Sequence, residues 1–504
     1  MTDQRVVLIG IDGADWSFLD GWIADGHLPN IAKLVDGGVR ASLNSVKPLN
    51  SAAAWTSIVT GRDPGGHGVF GFAVNSDGAY RRSPVKSSDV KAATLWEIVN
   101  AVGQPAGVIN CPITYPPPAL DGFLVSGILI PHNDLWAHPP ELENKLRGMF
   151  GPYIVDVPWA AVDETNPGDR EDFISKLYTM MRKREEVTIK CATEFQWRVM
   201  AVFFTGTDRI LHRFFHYTDP RHPLYDQEAA NVYGNEIRKY FTLVDEVVGR
   251  IIEKVEGARI IIVSDHGFGP LYFRFNLRAW LRQKGFLVEG HADGAAFYDE
   301  ALNGVDLSKS KVFPSTLSES GIWINLKGRQ PTGIVGADEC ESLKNRIIGE
   351  LENFETEDGH RPVRKVFRRE DILSGAFVED APDLLVEAEE KYIVDDSDSE
   401  NMIDISPVQT GDHRPAGIFI ANGDGVKSGV RSDSLRAADV LPTLLAAAGL
   451  PAPVDLEGKA AVGIFEKTPA VETCPPIEPG RVSTDGSGDE DESRRKLLKG
   501  LGYI

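Results

Sequence analysis

Four short segments place carboxylates and imidazoles where apolar runs end: Asp12 in VVLIGIDGAD, Asp208 with His212 in FFTGTDRILH, Asp265 with His266 in IIIVSDHGFG, and His413 in TGDHRPAGIF. A hydroxyl, Ser51 in PLNSAAAWTSIVTG, opens a helix-like segment after the first βα unit. Six ligand-type side chains are enough for two cations. Phosphate oxygens repel an incoming nucleophile, and a serine hydroxyl is protonated at neutral pH. One divalent cation can stabilise the alkoxide while a second, about 4 Å away, holds the leaving oxygen. These residue types therefore point to phosphoryl chemistry. Three imidazoles among the donors favour Zn²⁺, with Mn²⁺ next, whereas oxygens alone would suit Mg²⁺.

Each residue also has a plainer reading. Ser51 before Ala-Ala-Ala-Trp is a good helix N-cap, which is compatible with catalysis because a helix N-terminus stabilises an anion. Asp12 alone reads as a turn-former before Gly13, and Asp208 and His212 share a helix face at a spacing of four. Only the ordered set carries the metal reading. His67 in GGHG is expected to shape a turn, and Lys86 and Arg414 are cations that could reach a phosphate oxygen.

In order and context, Asp12, Ser51 nine residues before Thr60-Gly61, DRILH, SDHG and GDHRP resemble the alkaline phosphatase superfamily. The run SIVTGRDPGGHGVFGF, Ser57 to Phe72, carries the TG..P..HG pattern of its type I phosphodiesterase and nucleotide pyrophosphatase branch. The resemblance implies that Asp12, Ser51, Asp265 and His266 surround one cation and that Asp208, His212 and His413 surround the other. It further implies that Ser51 is the nucleophile and forms a phosphoseryl intermediate with a small phosphorylated substrate, a phosphodiester or nucleotide-type pyrophosphate. A phosphomutase or phosphotransferase using the same site, and a non-catalytic binding protein on this fold, are the alternatives. Sulfatases of the superfamily need Pro and then Arg shortly after the nucleophile; Ser51-Ala52-Ala53-Ala54-Trp55 has neither.

Apolar runs and helix-like segments alternate along the chain, as expected for the elements that would position these residues. Arg5–Ile11, Ala106–Asn110, Val199–Thr205, Arg259–Ser264, Asp383–Val386 and Gly417–Ala421 read as buried strands. Leu28–Leu34, Ala52–Val59, Ala93–Val102, a long stretch around Asp226–Val255, and Ala437–Ala448 read as helices. The expected fold class is α/β: a doubly wound, mostly parallel sheet with helices on both faces and inserted cap segments. In such sheets ligands bind beyond the carboxyl ends of strands, where Asp12, Asp208 and Asp265 stand. The catalytic domain is expected over 1–465, with cap insertions at about 131–198 and 272–377. An acidic flexible linker follows at 466–493, then an apolar tail at 494–504, RKLLKGLGYI in all but its first residue, which could dock on the body or join a homo-oligomer.

Composition sets outer limits. The 504 residues are 42% hydrophobic and 25% charged, as in globular proteins, and the net charge of −21 opposes a nucleic acid polymer as partner. No run approaches the roughly 18 apolar residues of a membrane span, and MTDQRVVLIGIDG moves straight into a strand, so no export leader is expected. Four scattered cysteines, Cys111, Cys191, Cys340 and Cys474, fit a reducing cytoplasm.

Overall fold

Val6–Ile11 and Val199–Phe204 are apolar at every position, and every one of their residues is buried, because both faces of each strand are covered. The computed structural model describes residues 4–76, 80–131, 135–160, 162–163, 166–290, 302–315, 320–396, 399–480 and 488–501. At its centre Val6–Ile11 pairs in parallel with Val199–Phe204 on one side and Arg259–Val263 on the other. The ten-stranded sheet runs Val430–Arg431, Val39–Asn44, Ala416–Asn422, Arg259–Val263, Val6–Ile11, Val199–Phe204, Ala106–Cys111, Gly122–Ser126, Ala137–His138, with Leu435–Arg436 also against Val39–Asn44. Ala416–Asn422 is antiparallel to both neighbours and Ala137–His138 to its one; the other pairings are parallel.

Register explains why distant residues meet. Ile11 pairs with Phe204, and Gly10 with Val263, so the chain leaves three neighbouring strands at one level and enters the segments bearing Asp12, Asp208 and Asp265. Because Ala416–Asn422 is antiparallel, its beginning lies at that same edge, which brings in His413 just ahead of it. The sequence reading took this strand as one more member of a parallel set. Its direction is the difference that matters, since a parallel strand would have carried His413 to the opposite edge.

Helices Trp16–Ala24, Pro29–Asp36, Pro167–Glu194, Gly206–Phe214 and Glu236–Lys254 bury their apolar residues on one face of the sheet. Ser51–Thr60, Leu95–Ala101 and Val440–Ala448 cover the other. The stretch expected as one long helix around 226–255 is divided into Gln227–Tyr233 and Glu236–Lys254 by Gly234-Asn235. The segment read as an insertion at 131–198 contributes the 28-residue helix Pro167–Glu194, whose Phe173, Leu177, Met180 and Val187 lie in the main core. The segment at 272–377 belongs largely to a second core of its own, containing Trp280, Phe313, Trp323 and Ile347. The apolar run at 383–386, expected in the main sheet, forms Leu384–Ala388 in a separate four-stranded sheet with Val312–Pro314, Gly321–Ile324 and Val363–Arg368. Apolarity alone cannot say which of two sheets buries a strand.

The chain end departs from the expected linker and tail. Thr473–Cys474 pairs with Ala452–Pro453, so part of the 466–493 stretch is held on the body; its residues 481–487 lie outside those described. Gly488–Gly500 is a helix whose Leu498 is buried, as is Leu501 just after it. These apolar side chains are used within the chain, which removes the reason for invoking a sister subunit; Tyr503 and Ile504 lie outside the described residues. Among the described residues no helix is long and apolar enough to cross a membrane.

Candidate active site

Helix Ser51–Thr60 begins with Asn50, not Ser51, as its N-cap: Asn50 Oδ1 accepts from the Ala53 amide at 2.9 Å, while Nδ2 donates to the Phe70 carbonyl at 2.9 Å. This leaves the Ser51 hydroxyl out of the cap and 3.2 Å from His266 Nε2. The helix ends at Gly61 in the left-handed region, φ 65°, where a side chain would be strained. His67 fixes the following loop, with Nε2 at 2.9 Å from Ser57 Oγ and Nδ1 accepting from the Val69 amide at 3.1 Å. Burial pushes its pKa down to about 3, so it is a neutral structural histidine, as the turn reading expects. Ala54 is wholly buried in the core behind the helix.

All seven sequence-selected residues converge. Ligand-type atoms of Asp12, Asp265 and His266 lie within 4.8 Å of one another, as do those of Asp208, His266 and His413. His266 Nε2 is 3.2 Å from Asp265 Oδ2 and 3.5 Å from Asp12 Oδ1. His413 Nε2 is 3.2 Å from both Asp208 Oδ1 and His212 Nε2, and His212 Nε2 is 3.2 Å from Asp208 Oδ1. Asp412, not singled out from the sequence, forms a further group with His212 and His413.

The electrostatics are those of a site short of positive charge. Burial, then repulsion from Asp265 and Asp208, raises the Asp12 carboxyl well above its ordinary range. Burial raises Asp265 to about 7. For Asp208 burial acts in the same sense but is outweighed by His212, His413 and Arg209, leaving it low. Among the described residues, Asp12 Oδ1 and Asp265 Oδ2 are buried without a hydrogen-bond partner. Buried carboxylates with free oxygens require a counter-charge, and mixed oxygen and nitrogen donors at these separations fit a divalent cation in each group.

Residues outside the selected set hold these ligands in place. Trp55 Nε1 donates to Asp12 Oδ2 at 3.2 Å, and its ring lies where a Cβ on Gly10 would stand, at 2.6 Å. Thr207 Oγ1 donates to the Asp12 carbonyl at 2.5 Å. His212 Nδ1 lies 2.9 Å from the Gly411 carbonyl, which fixes the N–H there and turns Nε2 toward Asp208. Arg209, with no exposed surface, pairs with Asp208 Oδ2 at 2.5 Å and with Asp156 Oδ2 at 2.6 Å. Arg209 could have been suspected from its place beside Asp208; nothing near Asp156 marks it. Lys86, considered for phosphate contact, pairs instead with Asp491 at 3.2 Å. Arg414 donates to the His413 and Pro270 carbonyls at 2.8 and 2.7 Å and borders a cavity of about 370 Å³ that also meets Asn50, Trp159, His212, Asp412 and His413.

A family model described as type I phosphodiesterase / nucleotide pyrophosphatase matches residues 6–416. No curated protein sequence matches the chain significantly. Among solved structures, human ectonucleotide pyrophosphatase/phosphodiesterase 5 superposes with a TM-score of 0.51 at 14% identity, covering 92% of this chain and 100% of that one. An inactive form of the murine protein in complex with AMP gives 0.51 at 13% identity, covering 92% and 98%. Phosphonoacetate hydrolase from Sinorhizobium meliloti 1021, in complex with phosphonoformate, gives 0.52 at 14% identity, covering 88% and 96%. At such identities these neighbours bear on the fold, and they agree with the sheet described above. On the extent of the family match, the chain belongs to the type I phosphodiesterase / nucleotide pyrophosphatase family, within the alkaline phosphatase superfamily.

Proposed function

We propose that this chain is a two-metal phosphohydrolase that cleaves a phosphodiester or nucleotide-type pyrophosphate through a phosphoseryl intermediate on Ser51. The carrying observation is Ser51 Oγ at 3.2 Å from His266 Nε2, beside the buried Asp12, Asp265 and His266 group. The family match supports phosphoester hydrolysis, and the AMP complex of a structural neighbour supports a small nucleotide-like substrate.

Asp12, Ser51, Asp265 and His266 would hold one divalent cation and Asp208, His212 and His413 the other, Zn²⁺ first and Mn²⁺ second in preference. Bound there, the pair supplies a lowered serine pKa and charge stabilisation at the leaving oxygen. Ser51 stands in the first turn of a ten-residue helix, whose N-terminal partial charge favours both an alkoxide and a phosphoryl group. Its oxygen attacks phosphorus, the Ser–O–P bond forms as the leaving oxygen departs with its proton, and water then breaks that bond to release the phosphomonoester and restore the hydroxyl. Arg209 and Trp55 hold the carboxylates of Asp208 and Asp12 throughout. Overall charge of −21 repels an anion at long range, and cations at the site would reverse that locally. Four free cysteines support the cytoplasmic reading.

The test is a panel of phosphomonoesters, diesters and nucleotide pyrophosphates with Zn²⁺ or Mn²⁺ added. A phosphomonoester released from a diester, or a nucleoside monophosphate from a pyrophosphate, with label trapped on Ser51 after acid quench, is the expected result. Phosphate reappearing on another hydroxyl would make the chain a transferase or mutase.

A further inference from the structure

The two ligand groups are unequally supplied with negative charge. In the first, Asp12 Oδ1 and Asp265 Oδ2 are buried and, among the described residues, without a hydrogen-bond partner, so two carboxylates face one cation. In the second, Arg209 takes Asp208 Oδ2 at 2.5 Å, which leaves only Oδ1 for an ion. His212 and His413 add nitrogen donors there but, as neutral ligands, no charge. Arg209 also pairs with Asp156 at 2.6 Å, so one guanidinium is shared between two carboxylates. A divalent cation beside them leaves this group with one positive charge in excess, whereas the first group is balanced. Unbalanced charge in a water-poor site is costly.

Asp412 is the carboxylate placed to remove that excess. It stands on strand Gly411–Arg414 immediately before His413, and the pairing of this strand with Gly267–Asn276 sets it opposite Gly269. One of its oxygens lies with ligand-type atoms of His212 and His413 inside a mutual 4.8 Å. Gln409 Nε2 donates to Oδ1 at 3.0 Å and orients the group, and among the described residues Asp412 makes no ion pair with lysine or arginine. Asp412, His212 and His413 all border the 370 Å³ cavity. In a chain of net charge −21, a free carboxylate on that wall would repel a phosphoester, and one bound to a cation does not.

We propose that Asp412 is a ligand of the second cation, joining Asp208, His212 and His413 and bringing that group to charge balance. This rests on the two-metal reading above and adds a ligand to it.

The test uses the full chain, loaded with Zn²⁺ and dialysed against buffers of graded free Zn²⁺, with bound metal measured by elemental analysis. Asp412→Asn keeps the side chain's size and an oxygen for Gln409 and removes the charge. It should raise the dissociation constant of one ion by about tenfold or more and leave the other unchanged. Asp412→Glu, which keeps the charge, should recover part of the loss. Removing a charge near an ion weakens it even without contact, so Co²⁺ loading supplies a second readout. The visible ligand-field bands of the weakened ion should shift in Asp412→Asn, and those of the other ion should not. Metal-free Asp412→Asn should melt close to the metal-free wild type, which places the effect at the ion and not in the fold. Unchanged affinity for both ions in the folded Asp412→Asn chain, or a weakened ion whose Co²⁺ bands do not move, would overturn the assignment. A wild-type chain that takes up fewer than two ions would overturn it as well. A wild-type chain that binds two ions but cleaves no phosphoester would instead refute the functional reading, with the metal measurements still deciding on Asp412.

Discussion

His266 and His413 stack face to face, ring centroids 3.7 Å apart and planes 25° from parallel, although each belongs to a different half of the expected metal pair. Two rings this close cannot both carry a proton cheaply. Burial, then the charge of His413, pushes His266 well below the usual imidazole range. His413 is raised despite burial, because Asp208, Asp412 and Asp265 surround it. His266 is therefore neutral, the form in which imidazole binds a cation, and its Nε2 lies 3.2 Å from the Ser51 hydroxyl. The two ligand groups form one connected site whose shared wall is this pair of rings.

Ser51→Ala is expected to lower turnover by roughly three orders of magnitude or more while leaving metal content and melting temperature close to wild type. The hydroxyl is lost from the first turn of a helix that Asn50 already caps. Steady-state rates, together with elemental analysis of the same preparation, check this. Wild-type turnover in the alanine variant would mean that water attacks phosphorus directly.

Asp208→Ala and His413→Ala should each remove about one of two bound ions. Asp208 Oδ1 lies 3.2 Å from both His212 Nε2 and His413 Nε2, at the centre of that group. Two full equivalents after dialysis of either variant would place the second ion elsewhere.

Much of this site was legible because its residues break apolar runs abruptly: Asp12 follows VVLIGI, and Asp265-His266 follows IIIVS. A polar pair ending a buried strand has few structural uses, and the parallel register then places such ends side by side. What holds the ligands was not legible. Asp156 reaches Arg209 across 53 positions, and Asp245 receives the Asn30 and Ile31 amides at the start of a helix more than 200 positions away. Such contacts are set by packing of complete elements and leave no local pattern. The same is true of the C-terminal helix, whose acidic start reads as a linker by composition and whose docking depends on Arg494 finding three carbonyls of distant loops.

Arg209→Met should destabilise the fold by about 3–5 kcal/mol, since it strips the partner from two buried carboxylates at once. Arg209→Lys should recover only part of this, because an ammonium cannot span Asp156 Oδ1 and Oδ2 and Asp208 Oδ2 as the guanidinium does. Denaturant unfolding of the metal-free chains measures both. Equal stability of the lysine variant and the wild type would show that charge alone, and not the planar fork, holds Asp208.

The pH dependence of metal binding follows from the raised carboxyls. In the absence of a cation, Asp265 takes up its proton at about 7, against an ordinary value of 3.8, and Asp12 is shifted in the same sense. A carboxyl raised on folding contributes stability that is fully present below the ordinary value and is lost as pH rises through the folded one. The metal-free chain should therefore lose stability between about pH 5 and pH 8. A bound cation needs the ionised forms, so its affinity should climb over the same range, by about tenfold per unit for each proton displaced. Melting temperatures of chelator-treated and Zn²⁺-loaded protein should thus diverge as pH increases, the loaded form gaining while the stripped form falls. A gap between the two that stays constant from pH 5 to pH 8 would mean that Asp12 and Asp265 do not release protons to the metal and that the first ligand group is assigned to the wrong residues.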